Sequence, residues 1–304
     1  MSLFAGEVDL THQIKRPLSA RIPPHLYFVG SAVFHYLGPS FAVLLFARVP
    51  LAGVAWLRIV SAGLIFAIWR RPWRTFWEGE RSTRWHIVAL GVLFALMNYS
   101  FYFAIDRLPL GTVAAIEFLG PVLLALAGAR TGRNLAALVL AGFGVYLLTD
   151  LRIEGDPLAF VWAFMNAALF TFYVILAHRV SRADPSSSPI DKLGAAMVIA
   201  SLAITPLGFA DALPAFVDPI ALAAGIGVGV SSSVIPYVFD QLAMARLPRA
   251  TYALFVALLP ATAVGIGFLV LHQVPLAMEM VGVALVVIAV LFHQERGEVS
   301  CELA

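Results

Sequence analysis

The stretch "RLPLGTVAAIEFLGP", residues 107–121, returns later in the chain as "RLPRATYALFVALLP", residues 246–260. The two stretches align without a gap, and the identical positions include the opening Arg-Leu-Pro and the closing proline. Because the match preserves an arginine and two prolines, it indicates an internal repeat rather than chance similarity between apolar helices. The relation between the two copies decides the architecture.

Both copies lie in a strongly apolar sequence. Hydrophobic residues make up 61% of the 304 residues and charged residues 12%, whereas soluble domains average about 45–50% and about 25%. A helix needs about 20 apolar residues to cross the hydrocarbon core of a bilayer. Segments of that size are predicted at 26–47, 51–69, 86–105, 109–129, 134–149, 157–177, 191–210, 218–244, 250–271 and 275–293. We therefore predict an all-α polytopic membrane protein with ten transmembrane helices.

The topology of the repeat follows from counting these spans. The first copy follows the third span and the second copy follows the eighth, so an odd number of spans places them on opposite membrane sides. This predicts a 5+5 inverted-topology repeat, an arrangement in which secondary transporters bind substrate near the membrane midplane. The predicted parts are an N-terminal tail (1–25), a first five-helix repeat (26–149), a second five-helix repeat (157–293) and a C-terminal tail (294–304).

The basic residues predict the orientation of the chain. With the N-terminus in the cytoplasm, Arg48, Arg107 and Arg152 lie on the outer side and Arg58 lies within a helix, so the other sixteen of the twenty lysines and arginines face the cytoplasm. Cytoplasmic loops of membrane proteins are enriched in lysine and arginine. Both tails are therefore predicted to be cytoplasmic.

Three blocks of sequence carry a resemblance to a known family. They are "WLRIVSAGLIFAIWRRPWR" (56–74), "MNYSFYFAIDRLPLGTVAAIEFLGPVLLAL" (97–126) and "SSVIPYVFDQLAMARLPRATYALFVALLPA" (232–261). In these blocks, and across nearly all of 27–293, the chain resembles EamA-type transporters of the drug/metabolite transporter superfamily. Within that superfamily it is most similar to the bacterial threonine/homoserine exporters.

The resemblance implies a multi-pass exporter of amino acids or related small metabolites in the bacterial inner membrane. It also implies proton exchange as the driving force. The chain departs from the family at Gln273, where an acidic residue is common, and this departure concerns the substrate rather than the fold. A multidrug or other small-metabolite efflux transporter on the same fold is the alternative.

Glu117 is the first candidate site residue, because it places a carboxylate inside an apolar span. A charged side chain at membrane depth costs about 2.5–3.5 kcal/mol on insertion scales, so it should face the bundle interior or a water-filled cavity. Pro121 has no backbone N–H, which leaves the Glu117 carbonyl without its usual helical partner. We expect Glu117 to hold a proton or an ammonium group, with interhelical hydrogen bonding as the structural alternative.

Arg58 is the second candidate, and the predicted spans place it about as deep as Glu117. Each residue lies about eight positions, or about 12 Å, from the outer start of its helix. The two side chains could pair with each other, or Arg58 could bind a substrate carboxylate. A structural ion pair or an arginine that snorkels towards the interface is the alternative.

Asp240 repeats the theme of an acidic residue near a proline, since Pro236 precedes it by one turn and deprives Ser232 of its backbone partner. Asp240 lies closer to the cytoplasmic end, where water could hydrate it. Further polar groups at depth suggest a lining, although each could equally join neighbouring helices. These further candidates are Tyr237, Gln241, Asn98 and Tyr102.

The expected mechanism is alternating access, in which the two halves rock about the site. Proline kinks give helices alternative packings and are candidate hinges. The candidate hinges are Pro121, Pro206, Pro236 and Pro260.

Catalysis, metal binding and nucleic-acid binding are not expected. The full sequence contains no HExxH, GxSxG or P-loop motif, and Cys301 is its single cysteine, so no enzyme, metal site or cofactor is predicted. The expected partners are a small-molecule substrate, the surrounding lipid and protons as the coupling ion. Both a monomer and a homodimer remain open.

Overall fold

The computed structural model describes residues 23–120, 132–150, 157–183, 187–244 and 259–292. Every regular element within these ranges is helical. The helices are α1 (Pro24–Leu45), α2 (Leu51–Arg70), α3 (Trp73–Glu78), α4 (Arg81–Ile105), α5 (Leu110–Glu117), α6 (Gly132–Asp150), α7 (Pro157–Ala183), α8 (Pro189–Val217), α9 (Pro219–Gly229), α10 (Ile235–Met244), α11 (Leu259–Leu271) and α12 (Ala277–Phe292). A π-helical turn, Val230–Val234, joins α9 to α10.

Six segments of the described chain are long and apolar enough to cross a membrane. They are α1, α2, α4, α7, α8 and the continuous stretch from α9 into α10. Shorter apolar helices lie within α6, α11 and α12. A helix satisfies its own backbone polar groups, which is what a lipid environment requires. The predicted all-α character is confirmed for these residues, and the chain is a multi-pass membrane protein.

Two elements differ in extent from the predicted spans. Helix α8 covers 29 residues, and it continues past Pro206 and Pro214, whereas the span predicted from the apolar run was 191–210. Helix α5 ends at Glu117, Phe118 forms a turn with φ −73° and ψ −9°, and helical structure resumes at Leu119 and Gly120, inside the span predicted over 109–129. Residues 121–131, including Pro121, lie outside the described ranges.

The helices pair across the two halves of the chain. Helix α2 packs along α8, α6 packs along α12, and α5 packs against α11. Helix α4 packs against α7 and α8, while α1 packs against α10 and α11. The two halves therefore interdigitate rather than forming separate bundles.

An ion pair marks one end of the bundle, which we call the first end. Arg48 Nη1 donates to Asp218 Oδ2 at 3.0 Å. Hydrogen bonds from the Ala221 backbone amide and the Arg48 side chain lower the pKa of Asp218. Because the folded-state pKa is lowered, these contacts stabilise the fold above the pKa of an unfolded aspartate, about 3.9, and lose that effect as the pH falls through the folded value.

A second contact at the first end joins two loops. The Leu110 backbone amide donates to Gln273 Oε1 at 3.2 Å. At the opposite end, Arg70 Nε donates to Asp191 Oδ1 at 2.6 Å, and Arg133 Nε donates to the Phe292 carbonyl at 2.7 Å. These contacts fix which helix termini share an end of the bundle.

Close packing of α2 on α8 depends on glycine, which has no side chain to separate the helices. A Cβ added at Gly208 would collide with the Ala52 carbonyl and with the Trp56 side chain, whereas a Cβ at Gly227 would meet nothing within 4 Å. We expect Gly208→Ala to lower stability, because overpacking costs about 1–3 kcal/mol. Gly227→Ala is the matched control, and removing a helical glycine there should stabilise by about 0.5–1 kcal/mol.

The measurement is thermal unfolding of both purified variants in detergent. A Tm for Gly208→Ala equal to or above that for Gly227→Ala would contradict this account of the α2–α8 contact.

Candidate functional site

Glu117 is the last residue of α5, and its side chain is buried against α7. Only 8% of its surface is exposed, and the Asn166 side-chain amide donates to Glu117 Oε1 at 3.2 Å. The two helices approach closely at this level because Gly120 leaves room for the Thr171 side chain. The carboxylate therefore points into the protein and has a neutral hydrogen-bond donor as its partner.

Arg58 lies in the middle of α2 and is also buried, with 3% of its surface exposed. Its Nε donates to Ser233 Oγ at 2.9 Å, and its Nη2 donates to the Ser232 carbonyl at 3.3 Å. This burial rules out an arginine that snorkels to the interface. The ion pairs found among the described residues do not include one between Arg58 and Glu117, although the two charges lie within electrostatic reach of each other.

Pro236, just after the π-helical turn, explains why the Ser232 carbonyl can accept a hydrogen bond from Arg58. Pro236 stands four residues after Ser232 and has no N–H to donate to that carbonyl. The carbonyl is therefore an unused acceptor inside a helix, and the structure places the Arg58 guanidinium on it.

Four buried polar atoms at this level have no hydrogen-bond partner among the described residues. They are Arg58 Nη1, Tyr102 Oη, Ser232 Oγ and Asn166 Oδ1. The Arg58 guanidinium carbon lies 5.4 Å from the centre of the Tyr102 ring. Buried polar groups in folded proteins are nearly always paired, so the atoms of Arg58, Tyr102 and Ser232, which adjoin one another, indicate a site for a ligand or water.

The other predicted lining residues are spread over a wider region. The Asn98 side-chain amide donates to the Phe94 carbonyl of its own helix at 2.8 Å, which uses one of its two N–H groups. Tyr237 is buried, and its ring lies 5.5 Å from the Phe94 ring and 5.9 Å from that of His35. Tyr237 therefore belongs to an aromatic cluster with Phe94 and His35.

Asp240 stands apart from the pair of buried charges. It is partly exposed and follows Ser233 by seven residues, which is about 10 Å along a helix. The side chain of Gln241 is not among those the structure describes. Asp240 therefore lies at a different depth from Arg58.

The predicted hinge prolines occupy different settings. Pro206 is exposed within a continuous α8, and Pro236 is buried immediately after the π-helical turn. Pro260 is the second residue of α11 as described, and Pro121 lies outside the described ranges. Of the described candidates, only Pro236 adjoins an irregular helical turn.

A cavity of about 320 Å³ opens at the first end of the bundle. Its polar lining includes Asp106, Arg107, Gln273 and Glu279. The volume falls in the range of about 300–1,000 Å³ that is usual for small-molecule sites. The cavity lies at the loop that precedes α5, two turns from Glu117.

Ser232 and Ser233 were not predicted as site residues. The small residues Gly225, Gly229 and Ser233 recur every four positions, a pattern that indicates close helix packing. Both glycines do pack on α2, with Gly229 against the Arg58 carbonyl and Gly225 against Leu57. Ser233 continues this row of small residues. Its position in the row is the sequence pattern that could have placed it against α2.

Comparisons with known proteins agree with this architecture. Residues 157–293 match the EamA-like transporter family. The threonine/homoserine exporter RhtA of Escherichia coli (strain K12) is 28% identical over 256 residues, covering 83% of this chain and 84% of that protein. The match to the family model thus covers the second part of the chain, and the similarity to the exporter extends over most of it. The family resemblance predicted from the three sequence blocks is thereby confirmed.

Two further comparisons extend this likeness. The threonine/homoserine exporter RhtA of Salmonella typhimurium (strain LT2) is also 28% identical over 256 residues, with 83% of this chain and 84% of that protein covered. A solved crystal structure of another protein superposes with a TM-score of 0.54 at 16% identity. That superposition covers 88% of this chain and 95% of the other chain and shows a shared fold.

Proposed function

We propose that this EamA-type protein exports small amino acids or related metabolites of the threonine or homoserine kind across the bacterial inner membrane. The observation that carries the proposal is the pair of opposite charges, Arg58 and Glu117, buried at one level without an ion pair between them. The relatives that carry the exporter name support the same substrate class.

A zwitterion is the ligand that these two side chains fit. An ionised group inside a protein is costly unless an opposite charge and hydrogen bonds compensate it. Among the described residues, the hydrogen-bond partners of Arg58 and Glu117 are neutral groups, Ser233 and Asn166 among them. An amino acid would bring a carboxylate to Arg58 and an ammonium group to Glu117, and would compensate both charges at once.

The proposed architecture is ten transmembrane helices in two inverted five-helix repeats. Helix pairing supports it, because exchanging the halves converts the α4–α7 pair into the pair of α1 with the α9–α10 span. The same exchange maps α2–α8, α5–α11 and α6–α12 onto themselves. An inverted repeat places the substrate site at the interface of its halves.

The proposed mechanism is alternating access coupled to protons. The two halves rock about Arg58 and Glu117, so the site opens to one side of the membrane and then to the other. Glu117 exchanges a proton for the substrate ammonium group, and Pro236 with the neighbouring π-helical turn acts as one hinge. The first end of the bundle faces outward, and both termini are cytoplasmic, as the distribution of basic residues favours.

The test is counterflow in proteoliposomes with labelled amino acids, with and without a pH gradient. We expect threonine and homoserine to exchange through the protein and a pH gradient to drive net movement. Failure of every amino acid tested to exchange would contradict the proposed substrate class.

A drug-efflux function is the second candidate, and the aromatic cluster favours it. The Tyr237 ring adjoins the rings of His35 and Phe94. The Tyr173 ring lies 5.9 Å from that of Phe94, and Asp240 lies within electrostatic reach of Tyr173. Aromatic faces with a nearby carboxylate suit bulky organic cations. Resistance of expressing cells to cationic drugs, without resistance to toxic amino-acid analogues, would favour this function over amino-acid export.

A further inference from the structure

The π-helical turn Val230–Val234 lies where α2 passes the junction of α9 and α10. Such turns are rare, and they are frequent at functional sites because the wider turn frees backbone groups from their usual partners. Within this turn the Ser232 carbonyl, which Pro236 leaves without its usual helical donor, accepts a hydrogen bond from Arg58 Nη2 at 3.3 Å. The π-helical turn therefore binds the Arg58 side chain directly.

Two contacts fix the plane of the guanidinium. Ser233 Oγ accepts from Arg58 Nε at 2.9 Å, and the Ser232 carbonyl accepts from Nη2. A planar guanidinium held by two of its nitrogens has no freedom to rotate about its own axis. The third nitrogen, Nη1, is consequently presented in one fixed direction, and it is buried and without a partner among the described residues.

Two hydroxyl groups lie beside this nitrogen. The Tyr102 hydroxyl lies next to both Arg58 and Ser232. Tyr102 Oη and Ser232 Oγ are both buried, and apart from their contact with each other and that of Tyr102 with Arg58, neither has a hydrogen-bond partner in the described part of the chain. One charged N–H and two O–H donors therefore converge in a desolvated place, which matches the acceptor capacity of a carboxylate.

We propose that the π-helical turn is the carboxylate-recognition element of this transporter. Arg58, Ser232 and Tyr102 bind the two carboxylate oxygens of the substrate, and Ser233 is a positioning residue that orients Arg58. This inference rests on the proposed function and deepens it, because it restricts the substrate to compounds with a free carboxylate. A carboxamide of the same shape is rejected, since it leaves the buried guanidinium uncompensated.

The experiment measures how strongly unlabelled threonine and threoninamide compete with labelled threonine in counterflow. In the parent protein, threonine should compete at a concentration at least about tenfold lower than threoninamide, because a hydrogen bond to a charged group is stronger than one to a neutral group. In Ser233→Ala, the concentration of threonine needed should rise by about tenfold, while that of threoninamide should stay the same. The preference for the carboxylate should therefore collapse.

Two variants of neighbouring chemistry serve as controls. Ser233→Thr keeps the hydroxyl group and should retain the preference. Ser231→Ala changes the same π-helical turn, but Ser231 Oγ donates to the Gly227 carbonyl at 2.8 Å and lies away from Arg58. This variant should behave as the parent protein does, which separates loss of orientation from general damage to the turn.

The possible failures are distinguishable. A parent protein that exchanges threonine, with an unchanged preference in Ser233→Ala, would overturn the recognition element and leave the proposed function standing. A parent protein that exchanges neither threonine nor homoserine would overturn both. If Ser233→Ala does not reach the membrane, Ser232→Ala carries the test, and an unchanged preference in that variant would overturn the inference.

Discussion

Replacing Glu117 by glutamine is expected to abolish transport while membrane insertion and abundance stay near those of the parent protein. Glutamine matches the shape of the side chain and can still accept the hydrogen bond from Asn166, but it carries no charge and no exchangeable proton. Loss of one partner from a buried charge pair costs about 2–5 kcal/mol, so threonine counterflow should fall by about 30-fold or more. Net movement driven by a pH gradient should disappear.

The matched control is Glu80→Gln, which makes the same chemical change outside the site. Glu80 is exposed, and its side chain does not cap α4. This control variant should transport at the parental rate. Export by Glu117→Gln at the parental rate would show that the proposed coupling residue is wrong.

Replacing Arg58 by methionine should separate a binding role from a structural one, because the two roles predict opposite effects on stability. Exchanging a buried ionic group for an apolar side chain of similar volume is often neutral or stabilising by about 1–4 kcal/mol. We therefore expect Arg58→Met to lose threonine counterflow by about 30-fold or more. Its Tm in detergent should be unchanged or higher than that of the parent protein.

The control for this substitution is Arg48→Met at the first end of the bundle. The Arg48 side chain is 54% exposed in its ion pair with Asp218, and exposed pairs contribute little to stability. Transport by Arg48→Met should be close to parental. A clear drop in the Tm of Arg58→Met would indicate that Arg58 is a structural strut, and the ligand role would then be wrong.

Much of the fold was predictable because lipid imposes a composition that sequence reveals directly. Apolar runs of sufficient length located the helices, but the ends of α8 were missed. The predicted span ended at residue 210, whereas the helix continues past Pro214 to Val217. The pairing of α2 with α8 depends on close approach at positions such as Gly208, and a pattern within one helix does not specify its partner.

The charged members of the candidate site and Tyr102 were predictable, and the two serines were not. Glu117 and Arg58 stand out because an ionisable group at membrane depth is rare and costly. Ser233 carries no such signal, because a serine in a stripe of small residues has the same pattern whether it packs or binds. The distinction arises only when α2 brings the Arg58 guanidinium against it, which is a tertiary contact.

The hydrogen bond between the Leu110 amide and the Gln273 side chain at the first end does not depend on pH. Gln273 Oε1 holds the backbone amide at the start of α5, the helix that ends in Glu117. A side-chain amide does not titrate in the physiological range, so a fall in pH leaves this hydrogen bond intact. The start of α5 therefore stays attached to Gln273 even at a pH low enough to protonate Asp218 and weaken its ion pair with Arg48.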